Sequence, residues 1–259
     1  MSLSVNKSKY IRSLKDKKFR NQYNCFVAEG EKLVFDLIGK CKCQILVALP
    51  EIIRQHPDID AEEVIVASES ELKKATLLKT APSVIGVFYK PNLNVEIDYN
   101  QDITLVLDGI QDPGNLGTIV RIADWFGIKN IICSNDCADI FNPKTIQATM
   151  GSISRVKLNY TDIVKHLENN IDFPIYGTFM DGDNIYTENL TENGMIVMGS
   201  EGKGVSEAVG RLIKKRLHIP HYPNVLTGYN SPESLNVAVA TSITCYEFRR
   251  KSFLAKQSF

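Results

Sequence analysis

The chain lacks the features that several large protein classes require. Its 259 residues hold no apolar run near the roughly 18 to 20 residues that span a bilayer. The first residues have no apolar signal core, so nothing predicts export. The six cysteines (Cys25, Cys41, Cys43, Cys133, Cys137 and Cys245) show no paired C-x-x-C spacing with histidines, which argues against a zinc site. Most sit beside apolar residues and read as small core side chains in a reducing compartment, and a cytoplasmic protein is expected. The four histidines, His56, His166, His218 and His221, have no Ser or Cys nucleophile context and form no metal constellation. No G-x-G-x-x-G follows the first strand of the second domain and no G-x-x-x-x-G-K-[ST] occurs, which weakens dinucleotide and nucleoside-triphosphate readings. Net charge is also absent, at zero at pH 7, so the whole chain is not a general polyanion binder.

What is present is an ordinary globular composition, 44% hydrophobic and 23% charged, at a length where one core tends to split into two domains. Charge is unevenly spread. In the first twenty residues Lys7, Lys9, Arg12, Lys15, Lys17, Lys18 and Arg20 face only Asp16. A charge run alone is usually a solvated face. This one is interleaved with Tyr10, Phe19 and Tyr23, whose rings offer stacking surfaces for bases, so Arg12, Lys15, Lys17, Lys18 and Arg20 are candidate RNA contacts. Helix-like spacing over Ser8–Leu14 and Gly30–Ile38 alternates with strand-like runs at Asn24–Ala28, Gln44–Leu49, Val64–Ala67 and Ser83–Tyr89. Ser68 and Glu71 mark a helix start. Residues 1–90 are therefore read as a small α/β domain, and the polar, non-periodic residues 91–101 as a linker.

The second domain, residues 102–259, opens with the buried-strand run Ile103–Leu107. The turn-rich loop Asp108–Asn115 leads into a helix with apolar residues Leu116, Ile119, Val120, Ala123 and Phe126, with Asn115 as its expected N-cap. Arg121 lies between Val120 and Ile122, where an arginine either snorkels to solvent or points at something anionic or polar in a cleft. Strands at Asn130–Cys133, Val156–Leu158 and Ile175–Thr178 alternate with helices at Pro143–Met150 and Thr161–Glu168. That alternation predicts a mostly parallel sheet with helices on both faces.

The chain is organised around residues 195–240. Met195–Met198 reads as a buried strand, followed at once by Gly199-Ser200-Glu201-Gly202-Lys203-Gly204. Three glycines in six positions permit a sharp turn and close approach of a ligand to the main chain. A second strand, Leu217–Ile219, stops at Pro220, and a long loop leads to a helix whose start carries Ser234 and Asn236. Two broken loops therefore leave the carboxyl ends of two strands, where open α/β sheets place ligands.

These segments resemble a known family. Asn115-Leu116-Gly117-Thr118-Ile119-Val120-Arg121 resembles the first motif of the SpoU (TrmH) branch of the SPOUT methyltransferases. Residues 199–204 resemble the second motif, and Ile219-Pro220 with Ser234-Leu235-Asn236-Val237-Ala238 the third. The stretch from Tyr10 to Leu33 is similar to the family's substrate-binding domain, so the likeness is nearly full length.

The resemblance implies 2′-O-ribose methylation of RNA, more readily ribosomal than transfer RNA, with S-adenosylmethionine as methyl donor. It implies a trefoil knot in the C-terminal half, a homodimer, and neither metal nor membrane. Asn115, Arg121, Glu201, Ser234 and Asn236 match its catalytic positions, and Thr178, Gly199, Gly202, Ile219 and Leu235 its cofactor-binding ones. An arginine is effectively never deprotonated, so Arg121 is expected to bind phosphate or stabilise the developing oxyanion. Glu201 is expected to pair with Arg121 or a polar cofactor group, and Ser234 to hydrogen-bond within the cleft. Residues 221–233 form a longer insertion than the family pattern, read as an ordered flap, and position 238 is Ala where some relatives have Ser. Two other readings stand beside this one: an RNA binder without catalysis, and a small-molecule α/β enzyme with a solvated basic end.

Overall fold

The computed structural model describes residues 2–92, 97–222 and 234–257, with backbone alone for 252 and 254–257. Contacts gather the chain into two compact units, Met1–Asn92 with Asp139–Arg155, and Leu93–Ala138 with Val156–Phe259.

In the first unit, helices α1 (Val5–Ser13) and α2 (Lys17–Tyr23) precede strand β1 (Cys25–Glu29). Helix α3 (Glu31–Leu37), β2 (Cys43–Ala48), α4 (Pro50–Gln55), β3 (Ala61–Val66), α5 (Glu69–Ala75) and β4 (Val84–Tyr89) follow. Ser4 caps α1 through a bond from the Lys7 amide, and Ser68 with Glu71 forms a complete capping box on α5. The sheet order is β1-β4-β2-β3, with β4 antiparallel to both β1 and β2 and β3 parallel to β2. Strand β1 is buried along its whole length. Its core joins Ile11, Leu14, Val27, Val47, Ile65, Leu72 and Val87.

The second unit is built on β5 (Ile103–Asp108), helix α6 (Pro113–Trp125) and β6 (Asn130–Ser134). After α7 (Pro143–Thr149) come β7 (Lys157–Thr161), α8 (Ile163–Asn169), β8 (Ile175–Asn184), β9 (Gly194–Gly199), α9 (Glu207–Gly210), β10 (Lys215–His218) and α10 (Val237–Gln257). Six strands pair in the order β10-β8-β9-β5-β6-β7, and every pairing is parallel. The central strands β5 and β9 are buried up to their last residue. That is why they read as unbroken apolar runs: a parallel sheet is covered on both faces. The pairing of β10 with β8 jumps from Gly177 to Asp183, leaving Thr178–Gly182 out of register.

Three local readings are corrected. Helix α6 begins at Pro113 and its N-cap is Asp112, whose side chain accepts from the Asn115 amide at 2.8 Å. Aspartate followed by proline at the first helical position is the stronger start signal. Helix α10 starts at Val237, after Ser234 and Asn236 rather than with them, and Asn236 caps it: its Oδ1 accepts from the Ala238 and Val239 amides at 3.0 and 3.3 Å. Helix α7 does not join the parallel sheet's surroundings but packs on β1 in the first unit, where the Phe26 and Phe141 rings lie 5.1 Å apart.

Candidate functional site

The site is assembled where β5 and β9 end side by side. Asp108 pairs with Gly199 in register, so the loops that follow start together. After Gly199 the chain closes a tight turn: the Ser200 amide donates to Gly204 O at 3.0 Å and the Gly204 amide returns to Ser200 O at 2.8 Å. Gly204 sits at φ +66°, a left-handed conformation that suits glycine. A Cβ on Gly199 would stand 2.1 Å from Gly204 C and 2.2 Å from Val205 N, so only glycine fits against the returning backbone. At the turn's exit the Ser206 amide donates to Asp108 Oδ2 at 2.7 Å, tying this loop to the end of β5.

This turn presents Glu201. One oxygen, Oε1, accepts from Asn115 Nδ2 at 3.1 Å, from the Val237 amide at 3.1 Å, and from Asn236 Nδ2 in a short contact. Asn236 Nδ2 also donates to Asn115 Oδ1 at 3.0 Å. Because Asp112 caps α6, the Asn115 side chain is released from that duty and faces Glu201 instead. Three segments far apart in sequence thus meet at one carboxylate. A carboxylate accepting several N–H donors is a strong, orienting junction.

The remaining residues are more spread. Arg121 is exposed on α6 and makes no hydrogen bond or ion pair to a described residue; in particular it does not pair with Glu201. Its guanidinium is available to an anion. Ser234 is exposed and has no hydrogen-bond partner among the described residues. Gly199 is the last residue of β9 and Ile219 follows β10, whereas Thr178 lies within β8, which continues to Asn184, just after its pairing with β9 ends at Gly177; Thr178 Oγ1 approaches Met198 Sδ at 3.8 Å. Leu235 is exposed, and a Cβ on Gly202 would meet no atom within 4 Å. The expected flap lies outside the described residues from 223 to 233.

Sequence reasoning missed three contributors. Asp112 and Asp108 hold the two loops as described; the dipeptide Asp112-Pro113 was the available signal for the first. His221, just past β10, has a buried Nδ1 with no hydrogen-bond partner among the described residues, and nothing in its sequence context predicts that. Behind the β5 loop, the Gly109 amide donates to Ser134 Oγ at 2.9 Å and the Ile110 amide to Cys137 Sγ at 3.2 Å. The Cys137 thiol is pulled down to about 7, chiefly by a hydrogen bond from the Cys133 thiol.

On the first unit the basic run divides. Lys15, Lys17 and Lys18 are exposed. Arg12 is exposed, with long 3.4 Å contacts from Nη1 to the Lys74 and Thr76 carbonyls. Arg20 is corrected as an RNA candidate: it is 2% exposed, donates to the Leu14 and Lys15 carbonyls at 2.9 and 2.7 Å, and pairs with Asp139 at 2.7 Å. Its Nε, Nη1 and Nη2 all donate inside the fold. Among the described residues no group of three or more His, Cys, Asp or Glu side chains could hold a metal, and no helix is long and apolar enough to cross a membrane.

Comparison with known proteins places the chain in a family. Residues 102–246 match the SpoU rRNA methylase family, and residues 6–86 an MRM3-like substrate-binding domain. The chain is 30% identical over 248 residues to the 23S rRNA (guanosine(2553)-2′-O)-methyltransferase RlmP of Bacillus subtilis, covering 94% of this chain and 96% of that protein. A putative RNA methyltransferase of the TrmH family from Porphyromonas gingivalis superposes with a TM-score of 0.85 at 38% identity, over 96% and 99% of the two chains. An AdoMet-bound rRNA methyltransferase from Sinorhizobium meliloti gives 0.82 at 26% identity, over 97% and 98%. With the family model spanning more than half of its length and its three motifs meeting at Glu201, the chain belongs to the SpoU rRNA methylase family.

Proposed function

We propose that the protein methylates the 2′-hydroxyl of a ribose in RNA, with ribosomal RNA as the substrate and S-adenosylmethionine as the methyl donor. The observation that carries this reading is the junction of Asn115, Glu201 and Asn236, formed between α6, the turn that leaves β9 and the start of α10.

The exits of β9 and β10 fit the cofactor on their own chemistry. They offer main-chain polar groups, with the Thr178 hydroxyl on β8 beside Met198, and the buried His221 Nδ1, without a hydrogen-bond partner among the described residues, is a polar atom that a bound molecule satisfies. Thr178, Gly199, Gly202, Ile219 and Leu235 are the residues proposed to hold it. When bound, the cofactor supplies an electrophilic methyl group.

The protein's own residues then have separable tasks. Arg121, with no partner among the described residues, binds the substrate phosphate or stabilises the oxyanion that develops on the ribose oxygen. The hydroxyl proton leaves to a neighbouring group or water, because the guanidinium cannot take it. Asn115 and Asn236 orient the ribose, and Glu201 acts through them as a positioning residue. Ser234 completes the cleft once substrate is bound. Arg12, Lys15, Lys17 and Lys18 receive the RNA backbone.

We also propose a trefoil knot, a homodimer and a cytoplasmic location. The strand order supports the knot: the chain leaves β9, passes β8 to form the edge strand β10, and then returns to place Asn236 on Glu201. Exposed Val239 and Tyr246 on α10 and Trp125 on α6 support a self-associating surface.

The test is calorimetric titration with S-adenosylmethionine, followed by mapping of 2′-O-methyl groups on ribosomal and transfer RNA. One site per protomer and a new methyl on ribosomal RNA are expected. Arg121→Ala should bind the cofactor nearly normally while turnover falls at least about 100-fold. Normal turnover in that variant would remove Arg121 from the chemistry, and a methyl on transfer RNA alone would reassign the substrate.

A further inference from the structure

The first unit contains a recess of about 710 Å³ that the methyl-transfer site does not account for. It lies between α1, α2 and the edge of the sheet at β2 and β3. Its lining includes Lys7, Tyr10, Tyr23, Gln44, Glu62 and Glu63.

Tyr23 is 40% exposed, with its ring edge-on to Tyr10 at 4.9 Å and stacked with Phe19 at 6.3 Å and 14°. It is therefore a supported aromatic surface that still faces solvent. The polar groups behind it are locked. Tyr10 donates to Gln44 Oε1 at 2.7 Å, Gln44 Nε2 donates to the Tyr89 hydroxyl at 3.1 Å, and that hydroxyl donates to Glu62 Oε2 at 3.0 Å. Glu62 also pairs with Lys42 at 2.6 Å, and Lys7 with Glu63 Oε1. Glu63 Oε2 engages no described residue.

This lining selects its ligand. Two carboxylates repel a phosphate, so the recess is not an extension of the basic run. Each carboxylate is balanced by a lysine, so a cation gains little. A neutral, flat molecule with hydrogen-bond donors beside an acceptor along one edge satisfies both the ring and the ion pair. Guanine alone among the RNA bases presents two adjacent donors, N1–H and N2–H, next to an acceptor, O6. Lys7 and Glu63, already in contact, offer the complementary donor and acceptor side by side.

We propose that this recess binds an unpaired guanine of the RNA substrate, with Tyr23 against the base, Glu63 accepting from N1–H and N2–H, and Lys7 donating to O6. The basic residues Lys17 and Lys18 belong to the same short helix as Tyr23, so the backbone of that nucleotide's strand has cations within the same element. The proposal rests on the RNA reading above but concerns recognition, not methyl transfer.

The experiment is equilibrium binding of the full chain to the pentaribonucleotides UUGUU, UUAUU, UUCUU and UUIUU, where inosine removes only the N2 amino group. The guanine oligomer should bind about tenfold tighter than the adenine and cytosine ones, with inosine between, as one two-point base contact gives. Glu63→Gln should level the four affinities, and Tyr23→Ala should weaken all of them, with thermal melting unchanged in Glu63→Gln. Equal binding of the four by the unaltered protein, or a guanine preference that survives Glu63→Gln, overturns the proposal. Methyl transfer to ribosomal RNA is measured in parallel. Transfer without guanine preference removes the recess and leaves the enzyme reading, whereas guanine preference without transfer to any RNA does the reverse.

Discussion

One oxygen of Glu201 accepts from Asn115, Asn236 and the Val237 amide, while Arg121 stands apart with no described partner. The arrangement separates positioning from charge. Glu201→Ala should lower turnover about 100-fold by loosening both asparagines, since small misplacements near reacting groups cost that much. Glu201→Gln keeps an acceptor oxygen at the same reach and should restore most of the rate. Equal loss in the two variants, measured as kcat on one RNA, would mean that the carboxylate charge itself matters. The two glycines beside Glu201 give a sharper contrast. Gly199→Ala places a Cβ 2.1 Å from backbone that cannot step aside, whereas the same change at Gly202 meets open space. Gly199→Ala should cost about 1 to 3 kcal/mol of stability as an overpacked site and weaken cofactor binding at least tenfold. Gly202→Ala should leave the melting temperature within the range of ordinary surface changes. Thermal unfolding with and without S-adenosylmethionine reads both.

At the scale of elements, the strands were legible because a parallel sheet buries both faces, so Ile103–Leu107 and Met195–Met198 appear as continuous apolar runs. The family motifs placed Asn115, Glu201 and Asn236, and the structure joins them. Boundaries were less legible. Asn115 and Ser234 have good capping chemistry, but Asp112 and Asn236 occupy the geometry, and a local signal cannot choose between neighbours that both qualify. Least legible was Arg20. In sequence it is one more cation in a basic run; in the fold it reaches Asp139, 119 residues away, and is buried. Only the tertiary path of Asp139–Arg155 onto β1 reveals that, and no periodicity encodes it. Removing one partner of a buried ion pair leaves unsatisfied polar groups, so Arg20→Ala should destabilise the first unit by about 3 kcal/mol. Denaturant unfolding followed through a probe in that unit checks this. A shift below about 1 kcal/mol would mean that Asp139, the more exposed of the pair, is readily rehydrated.

Across the whole molecule the formal charge is zero, yet the folded chain does not present a neutral surface at its beginning. Of the early cations, Arg20 is turned inward and Lys7 is paired with Glu63, so the sequence count overstates what a polyanion meets. Lys15, Lys17 and Lys18 remain exposed with no ion pair to a described residue. If each neutralises one phosphate, it releases about 0.7 to 0.9 counterion, depending on whether the strand is single or paired. Changing all three to Ala should therefore reduce the slope of log affinity against log salt by about 2 to 3. Binding at low salt should weaken most, and the curves of the two proteins should converge as salt rises. Cofactor titration in the absence of RNA should be unaffected, because these residues belong to the first unit and the proposed cofactor residues to the second. An unchanged slope would return the basic run to the role of a solvated face. The RNA would then have to be held by the exposed Arg121 and other cations of the second unit, and the salt dependence of Arg121→Ala is the next curve to measure.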